Sequence, residues 1–247
     1  MPTDLQDVLP DPNYKRYFDG TKDTSGTTGP GFAQIKLNND QKVLATRTNS
    51  QRLIARAIAG QKWKIDINYN PMTLEEFSPV YSFLLEKQGP MSPFFISLPQ
   101  YRVPQNSTWA STVTSTSPVY THRINESNGY AAGISKVLVD GDNSYSPTTT
   151  NIPKPGDMCT FDDANHKKAY LITAVEINAK YQTGTTQPGA TEFRMTLSPP
   201  LVKAVVNNAA IQFSVPLIKV VMPQPLGSYE LNKDNLYSFN LKLEEYL

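Results

Sequence analysis

"QKWKIDINYNPMTLEEFSPVYSFLLEKQGPMSPFFISLP", residues 61–99, holds a strand, a helix with its own start signal and a second strand. Trp63, Ile65, Ile67 and Tyr69 alternate with Lys62, Lys64, Asp66 and Asn68, which puts an apolar row and a polar row on opposite faces of one strand. Thr73 followed by Glu76 is a capping box, with Met72 and Phe77 at the staple positions around it. Phe77, Val80, Tyr81, Leu84, Leu85 and Gln88 fall along one side of the helix so begun, and Gly89-Pro90 supplies its stop. Pro79 admits two readings: it lies inside the helix and kinks it, or the helix starts at Ser78 with Pro79 as its first residue. "SPFFISLP", 92–99, then alternates Phe94, Ile96 and Leu98 against Phe95 and Ser97 between two prolines.

Upstream, residues 1–30 have no sustained period and read as an extended arm anchored by Tyr14, Tyr17 and Phe18, of a kind that often reaches a neighbouring subunit. "FAQIKL", the turn signal "NND" at 38–40 and "QKVLATRT" read as a hairpin. "SQRLIARAIAG", 50–60, carries Leu53, Ile54, Ala57 and Ile58 at helical spacing with Ser50 as a cap, so its local reading is a helix, with a strand as the alternative.

Downstream, residues 104–128 are rich in Ser, Thr and Asn and read as a linker. From about 118 to 212 short strands recur between long polar turns: "SKVLVDG", "GDMCTF", "KAYLITAVEI" and "TEFRMTL". The long alternating strands return in "QFSVPLIKVVMP" and "LYSFNLKLEEYL", where Tyr237, Phe239, Leu241 and Leu243 share a face. The expected organisation is therefore an arm at 1–30, a β domain made of 31–105 with 213–247, and a small antiparallel barrel at 118–212 inserted into it.

Composition narrows the function. With 39% hydrophobic and 18% charged residues, twenty prolines and thirteen glycines in 247 residues, many short strands and turns are expected. Twenty-three Lys and Arg against 22 acids leave no field to draw the chain onto nucleic acid. A single cysteine, Cys159, excludes an intrachain disulfide and any multi-cysteine zinc site. The start "MPTDLQDVLPDPNYKRYF" lacks the basic segment and apolar run of a signal peptide, and no apolar stretch reaches ~18 residues. A soluble chain made in the cytoplasm, not bound to membranes, is the expectation; the sequons at Asn106 and Asn125 then carry no weight.

No catalytic constellation is visible. His122 and His166 are the two histidines, and neither accompanies a Ser or Cys nucleophile motif. Asp162, Asp163 and His166 sit where polar turn residues are expected, so no metal or other cofactor is assigned. Glu75 and Glu76 are adjacent on a helix, point about 100° apart and suit the helix N-terminus better than paired acid and base work. "DGTKDTSGTTGPG" has glycines without the Gly-Lys-Ser/Thr ending of a phosphate loop. Charge is more telling. Residues 41–64 hold Lys42, Arg47, Arg52, Arg56, Lys62 and Lys64 and no acid, whereas the C-terminal stretch carries Glu230, Asp234, Glu244 and Glu245 diluted by Lys233 and Lys242. A head-to-tail ring, in which this basic edge meets the acidic edge of the next copy, would explain the split; a solvated polar face would explain it too.

The stretch at 61–99 also resembles the strand, "MT-x-x-EF-x-P-x-x-x-FL" helix and Phe-containing strand of minor and distal tail proteins of tailed bacteriophages. The matching residues include Trp63, Met72, Thr73, Glu76, Phe77, Pro79, Phe83, Leu84, Gly89, Phe94 and Phe95. "IPKPGDMCTFDDANHKKAYLITAVE" with "FRMTLSPPLVKAV" is similar to the small β-barrel of phage structural proteins, and "FSVPLIKVVMPQPLGSYELNKDNLYSFNLKLEEYL" to the closing strands of the tail proteins. The resemblance implies a mainly β, tail-tube-like β-sandwich with one flanking helix and an inserted small barrel. It implies a sixfold ring, a homohexamer, in the virion tail or baseplate, contacting the tail tube, the hub and peripheral tail proteins. It also turns the reading of 50–60 toward a strand, the second arm of a long hairpin. Two alternatives from other classes stand beside it. One is a glycan-binding module using Tyr145, Tyr170 or Tyr181; the other is a tail-associated hydrolase, which the absence of a nucleophile or acid/base set disfavours.

Overall fold

The structure, a computed structural model, describes residues 7–10, 15–16, 22–23, 31–57, 60–114, 122–141, 145–162 and 168–247. In chain order the first elements are β1 (Lys15–Arg16), β2 (Lys22–Asp23), β3 (Phe32–Asp40), β4 (Val43–Arg47), β5 (Leu53–Ala57), β6 (Lys62–Tyr69), α1 (Leu74–Lys87) and β7 (Phe94–Ser97). There follow α2 (Ser107–Thr114), β8 (Arg123–Ile124), β9 (Lys136–Asp140), β10 (Met158–Asp162), β11 (Ala169–Ile177), β12 (Glu192–Ser198) and β13 (Ala210–Gln212). The chain closes with β14 (Leu217–Val221), β15 (Glu230–Leu231), β16 (Tyr237–Ser238) and β17 (Asn240–Glu245). The fold is mainly β, and the chain divides into two compact units, Met1–Ile96 with Lys219–Leu247 and, between them in sequence, Ser97–Ile218.

The first unit is organised by a five-stranded sheet in the order β3-β6-β17-β14-β7. Alternation works as the sequence dictates: Trp63, Ile65, Ile67 and Tyr69 of β6 are buried beside Leu241 and Leu243 of β17, while Lys64, Asp66 and Asn68 face water. Helix α1 covers the apolar face with Phe77, Val80, Phe83 and Leu84. Phe77 meets Phe239 edge-on at 5.7 Å, and Phe83 meets Phe94 of β7 at 5.3 Å. Each side chain so buried contributes roughly 1.5 to 3 kcal/mol.

The helix begins where the capping box places it. The Thr73 N–H and hydroxyl donate to Glu76 Oε2 at 3.0 and 3.2 Å, and Leu74 is the first helical residue. Pro79 therefore lies inside the helix. The carbonyl it cannot pair belongs to Glu75, on an exposed turn where water reaches it, and the Ser78 hydroxyl donates to the Leu74 carbonyl at 2.7 Å beside it. At the other end Gln88 adopts the left-handed conformation and Gly89 follows at φ +69°, where a Cβ would come within 3.2 Å of the Pro225 backbone. Leu85 and Gln88, expected on the buried side, are exposed, and Lys87 is buried in their place, its ammonium 2.5 Å from Asp7.

Two expectations need correction here. β3 does not turn at "NND" to pair with β4. It runs on through Asn38, Asn39 and Asp40, opposite Lys64, Trp63 and Lys62 of β6, so the cross-strand pairing wins over the local turn signal. β4 pairs instead with β5, from Val43 opposite Ala57 to Arg47 opposite Leu53. The local helical reading of 50–60 fails with it, since Ser50 sits in the connecting turn and Leu53–Ala57 is a strand; residues 58 and 59 lie outside the described residues. Of the arm, Val8 and Leu9 are buried in their own chain, where Val8 bridges β7 in parallel and the Leu9 N–H donates to the Phe95 carbonyl at 2.8 Å. Tyr14, Tyr17 and Phe18 lie outside the described residues.

The second unit is a closed antiparallel barrel in the order β10-β11-β12-β9-β8-β13. β12 shows how the sequence builds it: Phe193, Met195 and Leu197 point inward and are buried, alternating with half-buried Arg194 and Thr196. The segment read as a linker contributes to this core. α2 carries Trp109, fully buried, against Phe213 at 5.1 Å and Phe193 at 5.7 Å. Ser/Thr-rich composition hid a short helix whose one large apolar residue anchors it.

Candidate assembly surface

Between β3 and β6 in sequence, β4 and β5 form a two-stranded ribbon of their own. β3 and β6 belong to the five-stranded sheet, whereas β4 and β5 pair with no other strand among the described residues. The tip closes through the Thr48 N–H, which donates to the Arg52 carbonyl at 3.0 Å, and the Gln51 N–H, which donates to the Thr48 carbonyl at 2.9 Å with Gln51 at φ +66°. Five residues, Val43–Arg47, make the ribbon about 16 Å long at ~3.3 Å per residue.

Every described side chain of β4 and β5 is exposed. Val43, Leu44, Leu53 and Ile54 are 53, 64, 59 and 52% accessible, a display of branched apolar side chains that a lone ribbon has no core to cover. Lys42, Arg47, Arg52 and Arg56 surround them. Pairing places Val43, Ala45, Arg47, Leu53 and Ala55 on one face and Leu44, Thr46, Ile54 and Arg56 on the other. Two strands without a packed face are marginal in water.

The remaining members of the sequence-assigned interface are engaged within the chain. Lys62 meets Glu244 at 2.8 Å and Lys64 meets Asp40 at 2.8 Å. The hydrogen bond and charge of Lys64 hold the Asp40 carboxyl below its ordinary range, and those of Asp40 raise the Lys64 ammonium. Glu245 is fully buried and accepts the Trp63 N–H at 3.1 Å. The expectation of a C-terminal acidic edge meeting the basic segment thus changes: Glu244 and Glu245 serve this chain's own sheet, and the basic residues left facing outward are those of the ribbon. Asp66 sits opposite Lys36 on β3 and Lys242 on β17, a polar ladder lining a shallow groove of about 210 Å3.

The fold-defining helix residues fall into two groups. Met72, Phe77, Phe83 and Leu84 are buried, whereas Thr73, Glu76 and Pro79 are exposed and shape the first turns. A ring cluster continues outward from Phe77: Tyr237 stacks on it at 4.5 Å, Tyr229 lies at 5.1 Å, and Tyr81 meets Tyr229 edge-on at 5.3 Å. Composition alone could not find this cluster, since Tyr229 lies far from α1 in sequence.

The other chemistry weighed from the sequence is not assembled among the described residues. His122 is buried in the barrel core, 4.5 Å from the Trp109 ring. Asp163 and His166 lie outside the described residues, and no cluster of three metal-ligating side chains occurs among the described ones. Cys159 is fully buried, and burial pushes its thiol far up from its ordinary value. Two of the three tyrosines considered for sugar stacking are also buried: Tyr145 donates to the Asn151 carbonyl at 2.6 Å, and Tyr170 accepts the Val202 N–H at 3.0 Å. Tyr181 alone of the three is exposed, at 41%.

Compared with known protein families and with curated proteins, the chain matches none of the family models and none of the curated sequences.

Proposed function

We propose that the chain is a non-enzymatic structural protein of a phage virion. In this reading it closes into a ring of six at the distal end of the tail or in the baseplate, and joins the tail tube to the hub and to peripheral tail proteins. The observation that carries the reading is the β4–β5 ribbon, basic and apolar at once and exposed on both faces. Apolar side chains displayed on so little supporting structure favour a partner that covers them. β3 adds a second surface of the same kind, an edge strand on which Ile35 and Leu37 are only half-buried.

Function here is assembly geometry. A heterologous contact, in which one patch meets a different patch on the next copy, closes into a ring when its rotation divides a full turn. The inserted barrel would then serve as the module that meets peripheral tail parts. The chain would be made in the host cytoplasm and end in the virion tail, with no cofactor required. Particle imaging tests this: sixfold density of the right size around the tail axis is expected, and a purified chain that stays monomeric and is missing from tails would refute it.

A further inference from the structure

Resting on the ring reading, we infer that the ribbon of one copy seats on a second, outward-facing apolar stripe of α1 in the neighbouring copy. Leu74, Ser78, Tyr81 and Leu85 recur at i, i+4, i+7 and i+11, so they form one row on the helix beside the buried row, with Tyr81 half-buried and stacked on Phe77 at 4.9 Å and Leu74 and Leu85 facing outward. Leu74 and Leu85 are 58 and 52% exposed. Tyr229 extends the row through its contact with Tyr81, and Leu231 stands directly opposite Tyr237 and so shares that ring's face of the β15–β16 pair. Leu74, Leu85, Tyr229 and Leu231 thus stay exposed around half-buried Tyr81 and Tyr237, with no cover among the described residues.

Charge identifies what covers the stripe. Glu75 and Glu86, eleven residues apart, form an exposed row beside the stripe. The one base of α1, Lys87, is buried, its ammonium 2.5 Å from Asp7 and 3.7 Å from Glu86, which stays 59% exposed. The ribbon from 41 to 57 carries four bases and no acid around its own uncovered apolar residues. The face bearing Leu44, Ile54 and Arg56 therefore matches the stripe in both respects, with aliphatic side chains to lay on Leu74, Tyr81 and Leu85 and guanidinium to meet carboxylate. Both surfaces are exposed in one chain, so neither covers the other in cis. Because ribbon and stripe differ, the contact runs head to tail, as a ring needs.

Charge exchange tests it on the full chain, with mass measured by sedimentation at several concentrations. Arg56→Glu, and separately Glu75→Lys with Glu86→Lys, should each weaken self-association by roughly tenfold, since each sets like charges face to face. Unchanged melting curves show that the variants fold. Mixing the two variants in equal amounts should restore assembly, because each ribbon then finds a stripe of opposite sign. A wild type that assembles while the mixture does not overturns this inference and leaves the ring standing, with the ribbon meeting another surface. A wild type that is monomeric and missing from tails overturns both.

Discussion

The ribbon and the barrel are built from the same antiparallel pairing and differ in what they do with their side chains. Each barrel strand has a neighbour on both sides, and Trp109, Tyr145, Phe193 and Leu197 are removed from water inside. β4 and β5 have one neighbour each, and Leu44 and Ile54 stay in water. Hydrogen bonding is thus similar in the two regions while burial is opposite, so the barrel can supply its own stability and the ribbon must draw on a partner.

The strongest way to break the contrast is to empty the barrel. Trp109→Ala should cost about 3 to 5 kcal/mol, read by denaturant titration, and should expose Cys159 to thiol reagents that fail to label the folded wild type. Leu44→Ser with Ile54→Ser should do the reverse. Self-association should fall at least tenfold in sedimentation, while monomer stability stays within about 0.5 kcal/mol of wild type, since no folded core is touched. Between these extremes lies Asp7→Asn, which leaves the buried Lys87 ammonium without its nearest partner; a loss of about 1 to 2 kcal/mol is expected in the same titration. The smallest effect should come from salt. Raising sodium chloride from 0.05 to 0.5 M should weaken assembly severalfold by screening the exposed charges, with little change in barrel stability.

How far the sequence reads depends on where the information resides. The β6 strand and the capping box of α1 are local patterns, legible because period two and the Thr73–Glu76 pair act within a few residues. Leu53–Ala57 was not legible locally, since its apolar spacing suits a helix and only the register with Val43–Arg47 decides for a strand. The burial of Glu245 and the outward turn of Leu85 were hidden for the same reason: each is set by what packs beside it from elsewhere in the chain. Of the assembly surface, the basic run from Lys42 to Arg56 was visible at once. The apolar exposure around it, and the aromatic extension through Tyr229, needed the fold.

Hydrogen exchange, followed amide by amide at low and high protein concentration, tests the central claim most directly, because it reads ribbon and barrel in one sample. The account expects barrel amides to exchange slowly at both concentrations, and ribbon amides from 43 to 57 to exchange rapidly when the chain is dilute and to slow at least tenfold once it assembles. Ribbon amides that stay fast in the assembled ring, or a chain that never assembles, would contradict it.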